Sequence, residues 1–283
     1  MNRGCLFAVV LGVAGAWWFL LVAGAVADDA AEDEARRQRL ELLQNKLDEL
    51  TLALEAAPGE PLIRREDPVL RFGNPTRQVF TDGAVFLWLS GGRPVAAASL
   101  WIRADGAMGR EFTSLADGPL VCAREGAAVW TPQSASLPRR LLPDAPQPSD
   151  SVALRLVQMR REAARFSGAF YPGMSETGEQ IRVMPQPLER YAAETEGVLD
   201  GAIFAMAQAN DPEALLILEL AQAKSDADPA WRFALARMSS MRMRIRLDDR
   251  EIWSAEHYWS NPRTPRDPYQ ERYEKPPEAT ESR

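Results

Sequence analysis

One histidine and two cysteines are all that this 283-residue chain holds of the side chains most used for nucleophilic catalysis and metal binding. With only His257, Cys5 and Cys122 present, a His-dependent triad with a well-placed base, a His- or Cys-rich zinc site and a disulfide framework are excluded. Excess positive charge is missing too. Acidic residues outnumber basic ones 40 to 33, for a net charge of −7. Phosphate-binding faces are basic, so this balance argues against a nucleic-acid partner. The chain also lacks a phosphate loop, a Gly-x-Ser-x-Gly elbow and any metal-ligand spacing, so no cofactor or metal is expected.

The rest of the composition is that of a globular protein, with 46% hydrophobic and 26% charged residues. Charge is absent over one long stretch, Cys5 to Ala27, preceded by Arg3 and closed by Ala25-Val26-Ala27 before Asp28-Asp29. A basic start, an apolar run and an Ala-x-Ala ending make a secretory signal cleaved after Ala27. The run is also long enough to span a bilayer, so an uncleaved membrane tether at residues 5–27 is the alternative reading. Both readings place residues 28–283 outside the cytoplasm, in the periplasm or beyond. Export usually brings disulfides, yet Cys122 is left alone in an apolar run, where a small buried hydrophobe is its role.

An acidic spacer and a leucine helix follow at 28–60. Leu40, Leu43, Leu47, Leu50 and Leu54 recur at spacings of 3 and 4, which predicts an amphipathic helix over 40–54 that docks on its own domain or self-associates as a short coiled coil. A first β-meander half is expected at 61–131. It is centred on a hairpin from Gly83 to Arg103 that turns at Gly91-Gly92 and has both faces covered. Five prolines make 132–149 a stiff crossover. Residues 150–259 read as a helix over 152–170 followed by a second β-meander half, and 260–283 as a disordered tail.

The halves resemble each other. Asp82–Arg103 lies over Asp200–Ala221 without a gap, with identities at Asp82/Asp200, Gly83/Gly201, Ala84/Ala202, Phe86/Phe204, Pro94/Pro212, Ala96/Ala214 and Leu100/Leu218. Small indels bring Phe112 onto Phe233 and Trp130 onto Trp253. A shift of 116 residues carries the leucine series onto Leu156, Met159, Ala163, Phe166 and Phe170. The expected fold class is therefore α+β, two related antiparallel β-meander halves with packed helices and a possible internal duplication.

Candidate sites are few. Arg242, Arg244 and Arg246 alternate with apolar residues, so period two puts three guanidinium groups on one strand face, as a surface for anions or lipid headgroups or as a solvated face. Asp82 and Asp200 occupy equivalent positions and, brought together, could do acid–base work, although Asp-Gly before a strand is first a turn signal. His257 follows the last expected strand with no Ser or Cys placed beside it.

The strings Asp82–Trp88, Val129–Pro132, Arg160–Gly168 and Met184–Pro187 resemble a family of uncharacterised exported bacterial proteins of planctomycete type, over roughly residues 66–255. That resemblance implies export and a single unit, and carries no activity or site. More distantly, a strand-rich exported meander with helices is similar to the half-barrels that carry lipoproteins in the periplasm. The functional expectation is a non-catalytic extracytoplasmic binding or structural protein. Its alternatives are a carrier of an apolar ligand in a curved sheet and a carboxylate-based hydrolase.

Overall fold

A computed structural model of the chain describes residues 31–73, 80–133, 137–222, 228–261 and 263–274. The expected signal or tether at 1–27, the first spacer residues and the end of the tail lie outside them. Among the described residues no helix is long and apolar enough to cross a membrane. The chain divides after Asn45 into two compact units. The first is helical over its described residues, with ion pairs Arg37–Glu34 and Arg39–Glu32.

The second unit, residues 46–283, holds every described strand. Its first half is built from β1 (Leu50–Leu54), β2 (Ile63–Arg64), β3 (Leu70–Phe72), β4 (Phe80–Ser90), β5 (Arg93–Arg103), β6 (Met108–Ser114), β7 (Leu120–Arg124) and β8 (Ala127–Trp130). After β9 (Arg140–Leu141) comes the helix Val152–Ala163, α2 if the helix over 31–48 is α1. The second half follows as β10 (Phe166–Tyr171), β11 (Glu179–Val183), β12 (Glu189–Ala193), β13 (Val198–Gln208), β14 (Asp211–Ala221), β15 (Ala230–Arg237), β16 (Arg242–Leu247) and β17 (Arg250–Ala255), with β18 (Tyr269–Glu274) last.

All described pairings are antiparallel, and the halves repeat one another position by position. In the order β17-β16-β10-β11-β13-β14-β15-β9, with β12 beside β13, the second sheet matches β8-β7-β1 joined to β2-β4-β5-β6-β18, with β3 beside β4. The hairpins β4–β5 and β13–β14 share their register and both of their bulges, after Phe80 and Val198 and after Trp88 and Met206. Trp130 faces Cys122 as Trp253 faces Ile245. Phe112, however, sits opposite Ala98, which makes Leu235 and not Phe233 its counterpart. Each half ends by giving a strand away: β9, from the segment after β8, pairs with β15, and β18, from the segment after β17, pairs with β6.

Hydrophobic burial explains the layering. Along β13 and β14, Ala202, Phe204, Met206, Leu216 and Leu218 point to one face, where Met159 and Ala163 of α2, Phe166, Phe170, Met243 and Ile245 close over them. The sheet thus curls as a half-barrel around its own side chains. Ile203, Leu215, Ile217, Ala234 and Ala236 point the other way and meet Val85, Leu87 and Ala97 of the first half. Burying each large side chain stabilises by roughly 1.5–3 kcal/mol, so neither sheet could leave that face wet.

Several expectations are corrected by this arrangement. The fold is mainly β and not α+β: among the described residues only α1 and α2 are helices longer than one turn. The helix expected over 40–54 stops at 48, and Leu50 and Leu54 belong to β1, paired with β7. The five-leucine seam, and with it a coiled coil through Leu40, Leu43, Leu47, Leu50 and Leu54, is therefore not formed. Leu50-Thr51-Leu52-Ala53-Leu54 also alternates at period two, and pairing with the apolar β7 decides in favour of strand. Likewise α2 ends at Ala163, and Phe166 and Phe170 face the core from β10. There Gly168 lets the Arg244 carbonyl approach to within 2.9 Å of where a Cβ would stand. The crossover contains β9, and the tail expected to be disordered contains β18.

Candidate functional site

The residues singled out from the sequence are not brought together. Asp82 is in an ion pair with Arg71, and Asp200 accepts from Arg190 Nε (2.9 Å) and Nη2 (2.6 Å) and from Arg155 Nε (2.7 Å). The two pairs are equivalent, because Arg71 faces Ala84 as Arg190 faces Ala202. Both aspartates are buried, and each fastens a short strand, and in the second half also α2, to the central hairpin. Their carboxylates are thus occupied by structural ties.

His257 is buried, stacks on Trp259 at 4.4 Å and accepts the Arg242 amide hydrogen at Nδ1 (3.0 Å). Burial, aided by the Arg242 guanidinium, holds its pKa below the ordinary histidine value. A neutral imidazole with Nδ1 as acceptor carries its proton on Nε2, so the nitrogen left over is a donor and not a base. Burial pushes the Cys122 thiol up to about 12, which leaves no reactive thiolate. On β16, Met243, Ile245 and Leu247 are buried and Arg244 and Arg246 exposed. Arg242 meets Glu176 at 3.0 Å and lies 4.3 Å from the Tyr171 ring centre, and Arg244 is 3.6 Å from Glu251. None of these three arginines lines a cleft described here.

A different set of residues does converge. A cleft of about 160 Å³ lies between the halves. Its floor is two rows of cross-strand neighbours on β5, β6 and β18: Ser99, Glu111 and Glu271 in one, Trp101, Gly109 and Tyr273 in the next. Gly109 is required there, because a Cβ would stand 2.2 Å from the Trp101 indole lying across it. Tyr273 meets that indole edge-on at 5.9 Å. The opposite wall comes from the second half: Asp211 and Glu213 at the start of β14, and the turn Met238–Met241.

Four carboxylates therefore surround the cleft. Glu111 and Glu271 face each other directly across paired strands, an arrangement that like charges make unfavourable. Glu111 is buried and accepts the Tyr269 hydroxyl at 2.6 Å; Glu271 accepts the hydroxyls of Ser240 and Tyr273, both at 2.9 Å. Burial first, then Glu271, Glu213 and Asp211, hold Glu111 well above the usual carboxylate range, against the bond from Tyr269. Arg237, half-buried beside this group, donates to the carbonyls of Ser239, Glu256 and Met241 and lies 4.7 Å from the Tyr269 ring centre. Arg103 at the rim has Asp105 3.5 Å away. Among the described residues no three His, Cys, Asp or Glu side chains are grouped to hold a metal ion. The carboxylates ring a space; they do not chelate a point.

At the other end of the sheets the same positions are filled differently. Arg93, the first residue of β5 as Asp211 is of β14, reaches Glu219 with Nε (3.0 Å) and Nη2 (2.9 and 3.0 Å). Glu219, which faces Gly201 as Trp101 faces Gly83, also accepts from Tyr191 (2.8 Å) and Arg139 (2.8 Å). Arg139 precedes β9 in the place that Glu271 holds on β18. The hairpin alignment already set Arg93 against Asp211 and Trp101 against Glu219. That inversion of charge was the available signal for this site; Glu111 and Glu271 had none, standing 160 residues apart with one in an expected disordered tail. No family model, no curated protein and no solved structure matches this chain.

Proposed function

We propose that this chain is an exported, non-catalytic binding protein whose acidic cleft receives a positively charged group of its partner. The observation that carries the reading is the facing pair Glu111 and Glu271, completed by Asp211 and Glu213 from the other half, around a space walled by Trp101 and Tyr273. Opposed carboxylates cost stability, and a bound cation offsets that cost while gaining from the aromatic walls. The face of the second half-barrel where an apolar cargo would lie is filled by Phe166, Phe170, Phe204 and Met206, which speaks for a binding site elsewhere. The acid–base candidates Asp82 and Asp200 are engaged by arginines, which speaks against hydrolysis.

Cell fractionation tests the address given by residues 1–27, and a cytoplasmic chain beginning at Met1 would overturn it. The cleft is tested by following the Trp101 indole N–H by NMR during titration with blocked arginine, blocked lysine and tetramethylammonium, with acetate as control. At least one cation and not acetate should shift it, more strongly at pH 7.5 than at pH 5, where the carboxyls hold more protons. If every cation leaves Trp101 unmoved, the binding reading fails.

A further inference from the structure

We infer that another cleft, independent of the acidic one, binds the carboxylate of a small organic acid through Arg237 and His257. This cleft has a volume of about 250 Å³ and lies where the end of β15, the residues after β17 and the start of β18 meet. Two of its lining side chains are donors with hydrogens to spare. His257 is 8% exposed, stacked on Trp259, and its Nδ1 is taken by the Arg242 amide hydrogen. Nε2 therefore carries the ring proton, and that proton has no acceptor among the described residues. A buried N–H left without an acceptor is costly, and the cleft is where one can enter.

Arg237 supplies the charge. A guanidinium has five hydrogens to donate. Nε gives its own to the Ser239 carbonyl (2.8 Å), Nη1 gives one to the Glu256 carbonyl (3.1 Å) and Nη2 one to the Met241 carbonyl (3.1 Å). One hydrogen on each terminal nitrogen is left over, and no carboxylate of the described residues comes within ion-pair distance. Glu111 and Glu271 act on this charge only through space. The three carbonyls and the rings of Tyr269 and Tyr258, 4.7 and 5.8 Å away, hold the guanidinium in place. Clamping the turn Ser239–Met241 accounts for those three hydrogens and leaves a half-buried cation without a contacting counter-charge, which folded chains usually provide.

The kind of anion follows from the walls. A guanidinium fork matches the planar, two-oxygen carboxylate. Asp267 and Glu256 also line the cleft and repel a second negative charge, which favours a monoanion over a phosphate dianion. Asp267 is itself engaged by the Tyr258 hydroxyl (3.1 Å) and by the Thr264 amide (2.8 Å) and hydroxyl (3.0 Å). The volume of about 250 Å³ falls below the roughly 300–1,000 Å³ of pockets for drug-sized ligands. It suits a small acid whose apolar body lies against Tyr258, Pro268 and Tyr269.

His257 is the chain's one histidine, so its imidazole NMR signals report on this site alone. Sodium acetate and propionate, titrated into the full chain at pH 7.5 and constant ionic strength, should shift them saturably. Acetamide and chloride should leave them unmoved, inorganic phosphate should bind at least fivefold more weakly than acetate, and Trp101 in the acidic cleft should stay where it is. Arg237→Lys keeps the charge but loses the fork, and should weaken acetate binding at least fivefold. Glu256→Gln, at an exposed position, removes a repelling charge and should tighten it about twofold. No shift with either carboxylate would overturn the proposal, as would phosphate binding as tightly as acetate, or undiminished affinity in folded Arg237→Lys. Should Arg237→Lys not fold, acetate binding that Glu256→Gln leaves unchanged or weakens overturns it instead. An acetylated dipeptide binding through its free C-terminus at least tenfold more tightly than propionate would overturn the free acid as the source of the carboxylate.

Discussion

Where β5 begins, two arginines and a tyrosine surround one carboxylate, and Asp117 and Glu196 take the remaining guanidinium hydrogens of Arg93. Where β14 begins, four carboxylates meet two aromatic rings, and hydroxyls are the donors to Glu111 and Glu271. The backbone is the same at both places, down to the bulges of the hairpins. The fold therefore demands neither arrangement. One end serves cohesion of the halves, since Arg93 and Glu219 belong to different sheets. The other gathers Glu111, Glu271, Asp211 and Glu213 around one cleft, with Glu111 and Glu271 directly opposed across paired strands.

This contrast has its largest expected effect at Arg93. Arg93→Met leaves Glu219 buried beside Arg139 and Tyr191 without its bidentate partner, and should cost about 3–5 kcal/mol in urea unfolding. Adding Glu219→Leu should restore part of that, because removing both members of a buried pair is far less harmful than removing one. At the acidic end the sign reverses, and Glu271→Gln should leave stability unchanged or raise it. A comparable loss there would show that the cleft is a structural network like its counterpart.

A middle-sized effect comes from Glu111. Facing it are Tyr269 and Glu271 on β18, Asp211 and Glu213 on β14, and Arg237 on β15. Its folded pKa is raised, so above the unfolded value the native state holds the proton that the unfolded chain has lost. Stability present below about pH 4.3 is then lost as pH rises, by up to about 1.4 kcal/mol per pH unit until the folded pKa is reached. Unfolding midpoints measured from pH 4.5 to 7.5 should fall more steeply for the native chain than for Glu111→Gln. His257, with its pKa lowered, contributes in the opposite sense, stability being lost as pH falls below about 6.5. Its contribution cancels in the comparison of the two proteins. Parallel pH profiles would refute a raised Glu111.

The smallest effect separates the two hairpin turns. Gly91 and Ala209 hold equivalent places, both at φ 54°. Glycine tolerates the left-handed region, whereas a side chain there costs about 1 kcal/mol. Ala209→Gly should stabilise and Gly91→Ala destabilise by about that amount in thermal or urea unfolding. Negligible shifts in both variants would mean that a side chain at this position of the turn carries no strain.

Much of the strand framework was legible because it is written in period two and in turn residues. The hairpins at Asp82–Arg103 and Asp200–Ala221, their covered faces and the Trp130/Trp253 correspondence could be read from the chain. The leucine series misled because spacings of 3 and 4 and a period of two coincide over Leu50–Leu54, and only the presence of β7 as a partner settles which is used. The end of α2 was hidden for the same reason at Phe166 and Phe170. Strand β18 was hidden by its charge: Glu271, Arg272 and Glu274 mark a solvated tail until β6 offers a ladder and Tyr269 finds a buried place. The cleft was out of reach because its members meet only when that ladder forms.

The exchange of trailing strands has a kinetic consequence. During synthesis β6 emerges long before β18, so the first half carries an open ladder edge until the last described residues of the chain arrive. Strand β15 receives β9 from a segment made earlier, so the second half can complete its edge as soon as it is made. Such long-range closure makes folding slow and postpones commitment to the native state, because loop-closure entropy must be met before the contact forms. Under the proposed export, a chain that stays uncommitted until β18 appears would remain threadable through a translocation channel. The same topology ties both halves into one cooperative transition, in which loss of residues 269–274 would open the acidic cleft and expose β6 together.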